Sequence, residues 1–234
     1  MNPPKQEYRN RVLAALPKAE IGRLALHLSP VTLRLRTQLL DSAAPSYAYF
    51  LEDGLACVVV TLENGTTVEV GIIGIDGVIG LPVLLGAGGM PGRTFIQVAA
   101  SGYRIKAQRL KEEFERPGEL RRHLEKYLLA NLVQSAQNAA CNRLHCIAER
   151  LAKWLLNCHD RVQSDQILLT HEFLAQMLGA PRTTVTLAAG MLHQAGLIDY
   201  SRGRVMIKNR SGLEEAACEC YRVVREEFQR LGLL

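Results

Sequence analysis

No stretch of this 234-residue chain approaches the roughly 18 consecutive apolar residues that a membrane-crossing helix requires, so no membrane association is expected. The N-terminal Met1-Asn2-Pro3-Pro4-Lys5-Gln6-Glu7 lacks the apolar centre of a secretory signal. Cysteine is sparse, with six scattered along the chain and none before Cys57. That excludes a small disulfide-stapled domain and fits a reducing cytoplasm, the expected location. Charge of one sign is missing too: a net +5 is too mild to suggest nucleic acid by itself. Catalytic signatures are also lacking. The glycine-rich segment has no Lys-Ser/Thr pair of a phosphate-binding loop, and no Ser/His/Asp or Cys/His set has a recognisable setting. No catalytic residue is assigned, and an enzyme is not expected. Cys141, His145 and Cys146, and Cys218 with Cys220, match no zinc signature. These thiols read as buried structural groups, with a redox or metal role as the alternative, and no metal site is assigned.

What the chain has is apolar residues, 48% of the total, enough for a sizeable core in one or two domains. Their pattern is most telling from Leu169 to Ile207. A short amphipathic helix, His171 to Leu178, ends at Gly179-Ala180-Pro181, where glycine suits a helix C-terminus and proline the start of the next helix. A second helix, Arg182 to about Ala195, turns Val185, Ala188, Ala189 and Leu192 inward and Arg182, Thr183, Thr186 and Leu187 outward. Strand, tight turn and strand follow, through Ser201-Arg202-Gly203-Arg204 to Ile207. The layout is a winged helix-turn-helix, in which one helix enters a major groove and the wing lies over the adjacent backbone. Between Gly179 and Ser211, Arg182, Arg202, Arg204, Lys208 and Arg210 stand against the single acid Asp199. Such a local excess of cations suits phosphate binding. The DNA-contacting candidates are Thr170, His171, Arg182, Thr183, Thr184, Thr186, Leu187, Arg202 and Arg204.

The preceding half is built differently. Tyr8 to Leu28 reads as two helical pieces parted near Pro17, and from Val31 to about Ala107 short β-branched runs alternate with turn signals. Asp53-Gly54 and Asn64-Gly65, each between such runs, predict hairpins of an antiparallel roll. Gly71 to Gly92 is rich in glycine and leads into Arg93-Thr94. That segment either cradles an anion through backbone N–H groups or is a tight connection with a solvated Arg93. Glu119 to about Asn142 then reads as one long helix with two apolar stripes. One stripe holds Leu120, Leu124, Leu128, Leu132, Ser135 and Ala139, the other Leu129, Val133, Ala136, Ala140 and Leu144. Two stripes predict one face on the helix's own domain and another on a partner helix. A further helix, Cys146 to Asp160, precedes the polar link Arg161 to Gln166. Gly212 to Leu231 is expected as one additional helix, packed on the DNA-binding domain, the other subunit or another protein.

A roll with a glycine-rich loop ending in Arg93-Thr94, a long helix, Glu149 to Leu156 opening a second domain, and the segment Leu169 to Ile207 together resemble the Crp/Fnr family of bacterial transcription regulators. The resemblance implies an α+β fold: an antiparallel β-roll like the cyclic-nucleotide-binding domain over residues 1–117, a dimerisation helix over 118–142, and a winged helix-turn-helix with an extra helix over 143–234. It also implies a homodimer on a two-fold symmetric double-stranded DNA operator, a small-molecule effector in the roll, and contact with RNA polymerase. Arg182 falls where the family places a base-reading arginine, whose pairing with guanine is worth roughly 1–3 kcal/mol of discrimination. The glutamate frequent at the next position is Thr183 here, and a further base-reading arginine known in the family is Leu187, so a different operator is expected. The effector candidates are Gly80, Leu81, Arg93, Thr94 and Ser135. No acid stands between Asp76 and Arg93 to accept from a ribose hydroxyl, which argues against cyclic AMP. The absence of cysteine before Cys57 argues against the iron–sulfur cluster of oxygen-sensing members. The competing reading is a ligand-binding dimeric module without specific DNA binding.

Overall fold

The computed structural model describes residues 7–86, 89–162, 164–201 and 203–234; of the segments discussed above, Met1–Gln6, Ala87 and Gly88 of the glycine-rich stretch, Gln163 of the polar link and the candidate Arg202 lie outside them. Two short helices, α1 (Arg11–Ala14) and α2 (Lys18–Ala25), come first and are parted by Pro17, as the sequence predicts. The Asn10 side chain starts α1 by accepting from the Val12 and Leu13 N–H groups. Seven strands follow: β1 (Ser29–Leu33), β2 (Gln38–Leu40), β3 (Tyr47–Leu51), β4 (Leu55–Thr61), β5 (Thr67–Ile73), β6 (Arg93–Val98) and β7 (Ala100–Lys106). They form two antiparallel sheets, β1-β7-β3 and β2-β6-β4-β5. Leu33, Leu51, Ala56, Ile73, Ile79 and Ile96 fill the space between the sheets and are all buried.

The two hairpin signals have different outcomes. Asn64-Gly65 does close the β4–β5 hairpin, pairing Thr61 with Thr67, and Gly65 takes the left-handed conformation (φ +83°) that this turn needs. Asp53-Gly54 makes no hairpin, because β3 and β4 belong to different sheets. There the Asp53 carboxylate accepts from the Ser101 hydroxyl at 2.7 Å and pins a corner where the chain changes sheet. Local turn chemistry is the same in both cases, and only the pairing partner of β3 separates them.

Helix α3 (Ala107–Glu115) leads into α4 (Glu119–Leu144), 26 residues and therefore roughly 39 Å long at ~1.5 Å per residue. The Glu20 carboxylate accepts from the Glu119 and Leu120 N–H groups, each at 2.9 Å, and so satisfies the start of α4. The face turned inward carries Leu120, Leu124, Tyr127, Ala130, Gln134 and Cys141. This corrects the first stripe read from the sequence, since Leu132, Ser135 and Ala139 are exposed. Steps of four residues advance about 40° beyond a full turn at 3.6 residues per turn, so a run of such steps leaves the face it started on. Gly77 of the glycine-rich segment abuts the Tyr127 ring, and any side chain there would collide with it.

The remaining elements are α5 (Ile147–Val162), β8 (Gln166–Leu168), α6 (His171–Leu178), α7 (Arg182–Gln194), β9 (Ile198–Ser201) and β10 (Arg204–Ile207). The wing is a three-stranded sheet, β8-β10-β9. Strand β8, which starts where the polar link ends, is too short to have signalled itself in the sequence. The expected single tail helix is instead two, α8 (Arg210–Ala216) and α9 (Cys220–Arg230), broken where Ala217 becomes extended. Helix α9 returns to α4 of its own chain: Val224, Phe228 and Leu231 pack with Leu120, Leu124 and Tyr127. One large core crosses from roll to C-terminal half, joining Cys57, Val59 and Ile72 to Leu151, Leu155, Leu174, Val185 and Leu192. A buried ion pair, Asp76 to Arg161 at 2.7 Å, crosses the same seam.

Candidate nucleic-acid interface and effector cavity

Helices α6 and α7 form the expected helix-turn-helix. The Thr170 hydroxyl caps α6 by accepting from the Phe173 N–H at 3.2 Å. Gly179 ends it in the left-handed conformation (φ +58°), with Val68 of β5 packed against the place where a side chain would stand. Pro181 then starts α7, whose buried residues are Val185, Ala188, Ala189 and Leu192, the four assigned inward from the sequence. Outward stand Arg182, Thr183, Thr186 and Leu187, with Thr184 half-buried. Leu187 is 70% exposed, and Met191, one turn further and missed in the sequence, is 62% exposed. Its i+4 spacing from Leu187 was the available signal.

Few of these groups are held by internal bonds. Arg182 has Glu172 at 3.9 Å, but both side chains are largely exposed and such a pair is worth little. His171 is different: its ring stacks on Tyr200 at 4.0 Å, and its Nδ1 lies 3.1 Å from the Thr186 hydroxyl. Thr186 donates in turn to the Arg182 carbonyl at 2.9 Å. Burial, helped by the nearby Arg182 charge, lowers the His171 pKa and keeps the ring neutral. His171 and Thr186 thus tie α6 and α7 to the wing, while Arg182, Thr183 and Leu187 stand exposed on the outer face. In the wing, Arg204 is exposed at the start of β10. Arg210, counted among the local cations, is engaged inward with Asp160 and the Tyr221 hydroxyl, both at 2.7 Å.

A cavity of about 360 Å³ lies between the roll and α4. Its walls are largely apolar, from Leu40, Val58, Ile73, Val78, Leu81 and Leu128, with Asp41, Thr94, Asn131 and Ser135 as polar points. Four of the five effector candidates, Gly80, Leu81, Thr94 and Ser135, line it. Arg93 does not: it is exposed and donates to the Thr61 hydroxyl at 3.1 Å. Among the described residues no lysine or arginine lines the cavity.

Strand β5 separates this cavity from the helix-turn-helix. Val70, Gly71 and Ile73 face the cavity, whereas Val68 meets Gly179 and Glu69 accepts from the Trp154 indole N–H at 2.9 Å. The Glu69 stem is partly exposed, but its other carboxyl oxygen is buried without a partner. Burial outweighs the Trp154 hydrogen bond and the charges of Lys153 and Arg161, pushing the Glu69 pKa from 4.5 up to about 8. A raised folded-state pKa gives stability that is present below pH 4.5 and lost as pH rises toward 8. Across that window the urea midpoint of the protein is expected to fall, and Glu69→Gln is expected to flatten this component. An unchanged slope in Glu69→Gln would show that Glu69 titrates normally.

Residues 149–216 match the family model described as the Crp-like helix-turn-helix domain. No curated relative matches the sequence significantly. Among solved structures, FixK2 from Bradyrhizobium japonicum is 18% identical with a TM-score of 0.67, covering 82% of this chain and 98% of its own. The c-di-GMP responsive global regulator CLP of Xanthomonas campestris is 15% identical with a TM-score of 0.66, covering 82% and 99%. A CRP-family transcriptional regulator from Thermus thermophilus is 18% identical with a TM-score of 0.65, covering 80% and 96%. The chain thus carries a match to the Crp-like helix-turn-helix domain over residues 149–216 and has the fold of the Crp/Fnr transcription regulators.

Proposed function

We propose that this chain acts as a homodimer that reads a two-fold symmetric DNA operator with α7, its affinity set by an apolar, uncharged effector in the cavity between roll and α4. The observation that carries the DNA reading is the exposed outward row Arg182, Thr183 and Leu187 beside the exposed wing cation Arg204. Arginine pairs with guanine edges, threonine donates to base or phosphate, and leucine meets a thymine methyl. The effector reading rests on the apolar walls and on Arg93 pointing elsewhere, which leaves a cyclic phosphate without a cationic partner. Strand β5 supplies the route: an occupant pressing on Val70 and Ile73 displaces the strand on which Gly179 and Trp154 rest. Domain limits at 1–117, 118–142 and 143–234 remain part of this reading.

The test is selection of an operator from random DNA, followed by titration at two salt concentrations. Arg182→Ala is expected to relax preference at one position per half-site, at about 1–3 kcal/mol. Arg204→Ala is expected to weaken all sequences alike and lower the salt slope. Cyclic AMP added to the same titration is expected to leave affinity unchanged. Failure to select any sequence would favour the ligand-binding module without specific DNA binding.

A further inference from the structure

The fold gathers four side chains of metal-ligating type from two stretches that lie far apart in the sequence. Cys141 stands in the last turn of α4, His145 just beyond it, Cys218 just before α9 and Cys220 at its start. Their ligand atoms all lie within 4.8 Å of one another. The Cys141 and Cys218 sulfurs are 3.5 Å apart, and the Cys220 sulfur is 3.5 Å from His145 Nδ1. Ligands on one tetrahedral ion, at ~2.3 Å for sulfur and ~2.0 Å for nitrogen, lie roughly 3.5–3.8 Å from each other. The set is therefore close to the spacing of a single four-coordinate ion before any ion is placed in it. All three thiols are buried and form a cluster of their own.

The surroundings favour the same chemistry. His145 Nε2 lies 3.1 Å from the Glu219 carboxylate; with the proton assigned to Nε2, which donates a hydrogen bond to that carboxylate, the Nδ1 lone pair faces the sulfurs. Gln137 donates through its side-chain nitrogen to the Cys220 sulfur at 3.1 Å, a bond that suits a thiolate. Three thiolates around a divalent ion leave one excess negative charge, and Lys153 places a positive charge beside Cys141 and Cys218. Cys141 and His145 stand at one end of the C-terminal half and Cys218 and Cys220 near the other, which explains why no sequence spacing announced the site.

We propose that Cys141, His145, Cys218 and Cys220 bind one tetrahedral, thiophilic divalent cation, with Zn²⁺ the best match to three sulfurs and one imidazole. Binding forms three metal–sulfur bonds and one metal–nitrogen bond, and the thiol protons leave to solvent. The ion ties the C-terminus of α4, where the roll-side helix hands over to the DNA-binding domain, to the start of α9. It does so independently of any effector in the roll.

The experiment is Co²⁺ titration of the reduced, chelator-treated full chain. The expected result is saturation at one ion per protomer, with tetrahedral ligand-field bands, thiolate charge transfer in the near ultraviolet, and bleaching by added Zn²⁺. Cys220→Ser and Cys218→Ser are expected to lose charge-transfer intensity, while Cys146→Ser, an exposed cysteine nearby, keeps it. Should the serine variants fold poorly, alkylation of the wild type decides: Zn²⁺ is expected to protect Cys141, Cys218 and Cys220 but not Cys146. Absence of a saturating tetrahedral spectrum, or equal alkylation with and without Zn²⁺, overturns the site. A Cys141–Cys218 disulfide that reforms in preference to metal uptake would overturn it in favour of a redox pair.

Discussion

Replacing Asp76 by alanine is expected to destabilise the fold by about 3–5 kcal/mol, the cost of leaving a buried charge unpaired. Asp76 and Arg161 are 3% and 7% exposed, and their 2.7 Å contact joins the glycine-rich end of β5 to the last turns of α5. Arg161 is held in place by the Asn157 carbonyl at 3.1 Å and lies over the Phe228 ring, so it cannot readily swing to water. Asp76 also accepts from the Gly74 N–H at 3.1 Å, a bond lost with it. For a chain of this size each kcal/mol moves the melting temperature by roughly 2–4 °C. Thermal scans of Asp76→Ala are thus expected to show a large drop, most of it regained when Arg161→Met is added. A single variant within 1 kcal/mol of wild type, about the size of a surface substitution, would show that the pair contributes nothing.

This ion pair was not legible in the sequence, whereas α6 and α7 were, almost to the residue. The difference is physical. Thr170, Gly179 and Pro181 act on their immediate neighbours, so capping and turn chemistry can be read locally. The inward row Val185, Ala188, Ala189 and Leu192 follows from helical periodicity alone. By contrast, whether Asp53-Gly54 closes a hairpin depends on β7 reaching β3, some 50 residues further on. The direction of Arg93 is likewise set by Thr61 across the sheet, not by Thr94 beside it. The tail shows the same limit: its apolar spacing predicted a helix, but the partner, α4, came from topology. Of the cavity, Gly80, Leu81, Thr94 and Ser135 were named in advance, but Asp41 and Asn131 were not. They carry no motif, and only folding brings them to the wall.

Leu129→Glu combined with Leu132→Glu is expected to convert the protein from dimer to monomer at micromolar concentration. The outer face of α4 is charged in its first two turns, through Arg121, Arg122, Glu125 and Lys126, and then becomes apolar. From there Leu129 is 43% exposed, Leu132 70% and Leu144 75%, with Ala136, Ala139 and Ala140 exposed between them. A stripe of large and small apolar residues at helical spacing suits a second copy of the same helix, since a two-fold axis sets each leucine against its own symmetry mate. Leu128, the neighbouring position, is half-buried and faces mainly the cavity, so Leu129 is the cleaner partner for Leu132. Two glutamates per chain place four carboxylates in one apolar seam, and the helix has no reason to unfold because its inner face is untouched. Sedimentation is expected to give the monomer mass with unchanged far-ultraviolet circular dichroism. Operator binding should fall with it. A dimer at roughly 10⁻⁸–10⁻¹¹ M that loses one half-site drops toward the roughly 10⁻⁴–10⁻⁶ M of non-specific binding, a loss of at least two decades. Leu132 also lines the cavity between roll and α4, so in the proposed dimer an occupant there would touch the seam directly. A wild-type protein that sediments as a monomer, or a double variant that stays dimeric, would remove α4 as the interface.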